Sequence, residues 1–205
     1  MTMRLMTPLS PELYLLACHL AKRSAREEGL TSVSFPLATV IHAATSLEAF
    51  INEELEHSRA HRPEWSEIYD EFERDKILPK WLVLAKLLCG KTFDKGREPF
   101  QSFKLLIDLR NGLVHYKPKY VERARYGELP SFAKPLGSHY AFSELASDRI
   151  HRWEDRVLNY GCARWACETN RAMVVEWYRL TAPSLLDAVD ETYPPSALPT
   201  APGAH

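Results

Sequence analysis

Little in this chain points to a secreted, membrane-bound or metal-stapled protein. Its four cysteines, Cys18, Cys89, Cys162 and Cys167, form no C-x-x-C pair and no dense framework. That spacing argues for a reduced setting rather than a disulfide scaffold. Charge of one sign is also missing: 26 Lys and Arg against 27 Asp and Glu leave a net −1. A broadly basic, nucleic-acid-coating surface is therefore excluded, and any such contact must be local. No window reaches the roughly 18 apolar residues of a membrane span. The opening M-T-M-R-L-M-T-P-L-S-P-E lacks the apolar run and small-residue cleavage site of a secretory leader. These absences predict a soluble, cytoplasmic protein. No segment alternates in the manner of a strand and no repeat is visible, so the chain is expected to be all-helical.

What is present is a hydrophobic content of 45% over 205 residues, enough for one domain with a real core. Ser10-Pro11-Glu12 reads as a helix start, with a cap, a first-turn proline and an early acid. Leu13, Leu16 and Leu20 carry that helix to about residue 28, and Gly29 ends it. Ser34 and Pro36 open the next helix, which runs to about residue 60. Its apolar stripe is Leu37, Val40, Ile41, Ala44, Leu47, Ile51 and Leu55. Glu48 interrupts the stripe, Asn52 lies one turn on, and Pro63 closes the segment. Residues 64–74 suit a short, charged helix. Residues 78–88 are apolar nearly all round, which predicts burial on more than one side. Residues 89–98 read as a loop with Gly90 and Gly96, and 117–142 as a long irregular segment. Helical spacing returns over 147–180, with Leu158, Cys162, Trp165, Met173, Trp177 and Leu180 on one side. Pro183 breaks it, and 184–193 suit a last short helix. Four prolines in the final twelve residues predict a disordered tail over 194–205. The expected architecture is a single domain, 1–193, made of about five main helices.

The chain is organised around residues 105–119, L-L-I-D-L-R-N-G-L-V-H-Y-K-P-K. Pro99 suits a first helical turn, and Phe103, Leu106, Ile107 and Val114 mark an apolar stripe. Pro118 disfavours helix at Lys117, so the helix should stop near Tyr116. Lys104, Asp108, Asn111 and His115 share a polar face. Arg110 instead falls within the apolar stripe. Gly112 costs about 1 kcal/mol relative to alanine at a mid-helix position, which suggests close approach by another backbone or a ligand.

The string Arg110-Asn111-Gly112-Leu113-Val114-His115 resembles the R-N-x-x-x-H signature of the HEPN superfamily, helical-bundle proteins of defence and RNA processing. The earlier A-A-T-S-L-E-A-F-I-N-E-E-L (residues 43–55) is similar to the first core helix of such proteins. The resemblance implies a HEPN-like bundle and a metal-independent endoribonuclease without a cofactor, its active site composed across a homodimer. It assigns Arg110, Asn111 and His115 to catalysis; Glu48, the other charge set in an apolar stripe, is the supporting candidate by its position alone. It also allows a non-catalytic interaction module or a toxin–antitoxin component with an antitoxin protein as partner. In some toxin members a tyrosine two residues after the histidine is modified; here that position is Lys117, so that modification is not expected.

The residue chemistry suits RNA. Histidine exchanges protons near neutral pH, and arginine offers a permanently charged fork for phosphate. Tyr116, Lys117, Lys119, Arg123 and Arg125, with Tyr120 and Tyr126, combine phosphate contacts with rings for base stacking. Plainer readings stand beside these. Glu48 and Arg110 can form a buried ion pair with no catalytic role, and His115 can be an ordinary helix-end histidine. The basic, tyrosine-bearing segment can be an exposed loop. Gly90-Lys91-Thr92 ends like a phosphate-binding loop but lacks the preceding strand. Glu53, His57 and His61 share a helix face, yet Ser58 stands where a zinc protease has glutamate. Cys162 and Cys167 read as core thiols.

Overall fold

The computed structural model describes residues 7–26, 33–115, 127–144 and 152–200. Among these there are eight α-helices and no strand: α1 (Ser10–Ser24), α2 (Ser34–His61), α3 (Ser66–Phe72), α4 (Ile77–Cys89), α5 (Phe100–Val114), α6 (Trp153–Val157), α7 (Tyr160–Thr181) and α8 (Leu186–Thr192). Five of them, α1, α2, α4, α5 and α7, are long enough to build a bundle.

α2 is the central element, packed against α1, α4, α5 and α7. It buries Val40, Ala43, Ala44, Leu47, Phe50, Ile51 and Leu55. α1 turns Ala17 and Ala21 inward, and these small side chains let two helix backbones lie close. The Asn170 amide of α7 donates to the Ala43 carbonyl at 2.8 Å, fixing α7 on the same helix. The core centre is aromatic. Trp81 of α4 stacks on Phe50 at 5.3 Å and meets Trp177 edge-on at 5.5 Å. Phe103 of α5 lies 5.4 Å from the same indole. By length and composition α2 is long and apolar enough to cross a membrane, unlike the expectation from the sequence; half of that window is buried in the bundle.

Several boundaries differ from the sequence reading. α1 ends at Ser24, four residues early, and residues 28 and 29 lie outside the described chain. Ser10 is not the cap but the first helical residue, and Leu9 caps without a side-chain bond. The missing acceptors come from α2: Glu53 Oε1 accepts the N–H groups of Leu9 at 2.7 Å and Ser10 at 3.0 Å. Its Oε2 takes the Ser10 hydroxyl at 2.5 Å. A distant acid thus does what a local cap was expected to do.

α4 is buried on one stripe only, Lys80, Trp81, Leu84 and Ala85. Lys80 is polar on that stripe because its ammonium donates to Asn52 Oδ1 and the Glu73 carbonyl, both at 2.8 Å. Gly90 ends α4 in the left-handed region at φ 72°, where glycine carries no Cβ penalty. The expected helix over 147–180 is divided. Residues 145–151 lie outside the described chain, α6 stops at Val157, and Asn159 restarts the helix by accepting the Cys162 N–H at 3.0 Å. The tail is docked as far as Thr200. Tyr14 donates to the Pro194 carbonyl at 3.2 Å and Lys22 to Ser196 at 3.3 Å; Tyr160 bonds Thr200, and Pro199 is buried.

Candidate functional site

α5 places the R-N-x-x-x-H residues. Its buried side is Phe103, Leu106, Ile107 and Leu109, which presses the helix onto α2 and α7. Arg110 follows at the edge of that side, and its guanidinium pairs with the Glu48 carboxylate of α2. A second N–H reaches Asn111 Oδ1 at 3.0 Å. The pair is half open: side-chain exposure is 23% for Arg110 and 44% for Glu48. It was expected inside the bundle. It lies at the rim because Ile41, one heptad before Glu48 on α2, is itself only half-buried.

His115 is the C-terminal cap of α5, its N–H bonded to the Asn111 carbonyl at 2.9 Å. It is exposed, and its ring makes no hydrogen bond among the described residues. Arg110 and His115 lie five residues apart, hence about 140° around the helix and ~7.5 Å along it. The structure therefore joins Arg110, Asn111 and Glu48 and leaves His115 on a different side of the same helix end. Tyr116, Lys117, Lys119, Arg123 and Arg125 fall outside the described residues.

Gly112 has a clear reason to lack a side chain. A Cβ there would lie 2.4 Å from Phe132 Cζ and 2.8 Å from Cε2. Phe132 belongs to the segment after α5 and is backed edge-on by Trp153, with centroids 5.5 Å apart. Where the sequence suggested a second backbone or a ligand, the near neighbour is a ring of the same chain. The polypeptide folds back over its own motif helix.

The other candidates separate cleanly. Glu53 caps α1, so it does not join His57 and His61, whose rings lie 4.3 Å apart and tilted by 40°. No three His, Cys, Asp or Glu side chains converge as a metal-holding group among the described residues. Cys162 is fully buried, and burial pushes its thiol up to about 12, so it is an inert core group. Thr92 of Gly90-Lys91-Thr92 donates to the Leu82 carbonyl at 3.0 Å.

A polar site that the sequence reading passed over lies further along α2. Glu54 accepts Trp177 Nε1–H at 3.2 Å and the Tyr178 hydroxyl at 3.4 Å. Burial pushes its carboxyl above the usual range, and those two hydrogen bonds pull it back in part. The signal was present in the sequence: Glu54 stands three residues after Ile51 and seven after Leu47, both fully buried. No protein-family profile, curated protein or solved structure matches the chain.

Proposed function

We propose that this chain is a HEPN-like, metal-independent endoribonuclease of the cytoplasm that acts as a homodimer. The observation that supports it is Arg110, tethered at a half-open surface by Glu48 and Asn111 on the helix whose exposed cap is His115. A guanidinium has five N–H donors, and a tethered one is pre-oriented for phosphate oxygens. His115 is solvent-accessible and can exchange protons with a ribose hydroxyl.

One chain supplies one imidazole, and it diverges from its own Arg110. Two copies meeting at their α5 ends would bring two histidines and two arginines to one scissile phosphate. One imidazole then takes the 2′-OH proton while the other protonates the departing 5′ oxygen, leaving a 2′,3′-cyclic phosphate. Arg110 balances the charge that builds on the phosphoryl oxygens. Because Phe132 covers Gly112, the two-fold contact is assigned to Val114, which is 50% exposed, rather than to the glycine.

The second reading, a non-catalytic interaction module or toxin–antitoxin component, is favoured by the Glu48–Arg110 pair. A neutralised arginine that bridges two helices needs no substrate to explain it.

The experiment is incubation of the purified protein with RNA in EDTA, followed by analysis of product ends. Cyclic phosphate ends are expected. His115→Ala should lower cleavage by about a hundredfold or more, while its melting temperature stays near that of wild type because the ring is exposed. Arg110→Lys should also slow cleavage, since it keeps charge but loses the fork. Val114→Glu should yield monomers by light scattering. Inert wild-type protein, or full activity in His115→Ala, removes the ribonuclease reading in favour of the second.

A further inference from the structure

The N-terminus of α1, the middle of α2, the end of α7 and α8 line a pocket of about 230 Å³, the space of roughly eight water molecules. Its wall carries Phe50, Glu53, Glu54, Tyr178, Tyr193 and Ala188. None of these belongs to the Arg110 patch. Phe50 meets Tyr178 and Tyr193 edge-to-face, with centroids 5.9 and 6.2 Å apart. The Tyr193 hydroxyl is held by Ser10 Oγ at 2.7 Å, which fixes that ring at the pocket wall.

The two acids make the pocket unusual. Among the described residues, the donors to Glu53 are the neutral N–H and O–H groups of Leu9 and Ser10, and those to Glu54 are neutral Trp177 and Tyr178. Among the described residues neither carboxylate has a basic partner. Elsewhere on the same helix Glu48 meets Arg110 and Glu56 meets Arg59. Glu53 and Glu54 are both half-buried, and a partly desolvated carboxylate without a counter-charge is disfavoured; a cation in the pocket would relieve that cost. A metal ion does not fit. The Glu53 oxygens are occupied by the α1 cap, and no third ligand converges among the described residues. Aromatic rings beside a carboxylate suit instead an ammonium group carried on an apolar body.

We propose that this pocket binds a small organic ammonium, a primary amine with an aryl or alkyl body. The charged head sits on Glu54 and the body lies against Phe50, Tyr178 and Tyr193. The proposal is independent of RNA cleavage, because the two sites share no residue.

Titration calorimetry at neutral pH with 2-phenylethylammonium, set against the neutral 2-phenylethanol, tests it directly on wild-type protein. The amine should bind at least about tenfold tighter, the scale of one charge-assisted contact with aromatic support. Glu54→Gln keeps the shape and an acceptor for Trp177 but removes the charge, and should weaken the amine about tenfold. Ala188→Phe, at an exposed position of α8, should fill the pocket mouth and weaken it at least as much, with helical circular dichroism unchanged. Equal affinity for amine and alcohol, no binding at millimolar amine, or wild-type affinity in either folded variant overturns the proposal. Should Glu54→Gln fail to fold, the amine–alcohol comparison and Ala188→Phe still decide.

Discussion

Glu48 and Glu54 lie six residues apart on α2 and are treated in opposite ways. At Glu48 the neighbouring helix α5 supplies an arginine, and the charges cancel at a half-open rim. At Glu54 the neighbouring helix α7 supplies only an indole and a phenol, and burial disfavours the carboxylate. Glu53, between them, meets the N–H groups that open α1, where the helix dipole favours negative charge. Three acids on one helix thus receive an ion pair, a helix end and neutral donors. What an acid on a helix does is decided by the element that faces it.

The largest change in stability is expected at Glu53. Glu53→Ala strips two N–H groups and a hydroxyl of their acceptor, and should cost about 2 kcal/mol in urea unfolding. A loss within about 0.5 kcal/mol would show that water replaces the carboxylate and that the tertiary cap adds nothing.

Next comes the motif face. Gly112→Ala puts a methyl 2.4 Å from Phe132 and should cost about 1 kcal/mol or more through overpacking. Combined with Phe132→Ala it should cost little beyond that change alone. Plain additivity would mean that the ring does not lie on Gly112 in solution.

A smaller effect is expected for the Glu48–Arg110 pair. With side chains 44% and 23% exposed, the coupling in a double-mutant cycle should be about 0.5–1 kcal/mol. That is well below the ~3–5 kcal/mol of breaking a buried pair. A coupling in that higher range would close the rim and weaken the case for an accessible guanidinium; zero coupling would separate the two side chains.

The finest test is a slope against pH. Burial raises the Glu54 carboxyl above its ordinary value near 4.5, so folding favours the protonated form. Its contribution is complete below 4.5 and is lost as the pH rises through the raised folded value. Wild type should therefore lose stability relative to Glu54→Gln as the pH climbs toward neutrality. Parallel melting curves for the two proteins would remove the difference between Glu54 and Glu48.

Much of the site and fold was legible because misplaced charges and periodic leucines are visible in one dimension. Glu48 and Arg110 each interrupt an apolar stripe, and each therefore needed a partner on another helix. Gly112 announced a close approach, although not by which group. Glu54 carries the same mark as Glu48, buried neighbours at helical spacing, but its partners Trp177 and Tyr178 bear no charge and look in one dimension like ordinary core aromatics.

The sequence by itself determined that the described chain is helical and where α2, α4 and α7 stop, since the 3.6-residue period, Pro63, Gly90 and Pro183 act within a few residues of where they stand. It also determined that Glu48 and Arg110 could not stay unpartnered on apolar faces. Only the tertiary structure decided that Glu53 would cap α1, that Phe132 would cover Gly112, and that residues 194–200 would dock rather than hang free. It alone decided that the ion pair would lie at a rim and Glu54 in a pocket. The physical reason is separation along the chain. A helix forms from bonds four residues apart, whereas Glu53 meets Leu9 across 44 residues and Tyr14 meets Pro194 across 180. At such distances the packing of whole helices selects the partner, and no local pattern records the choice.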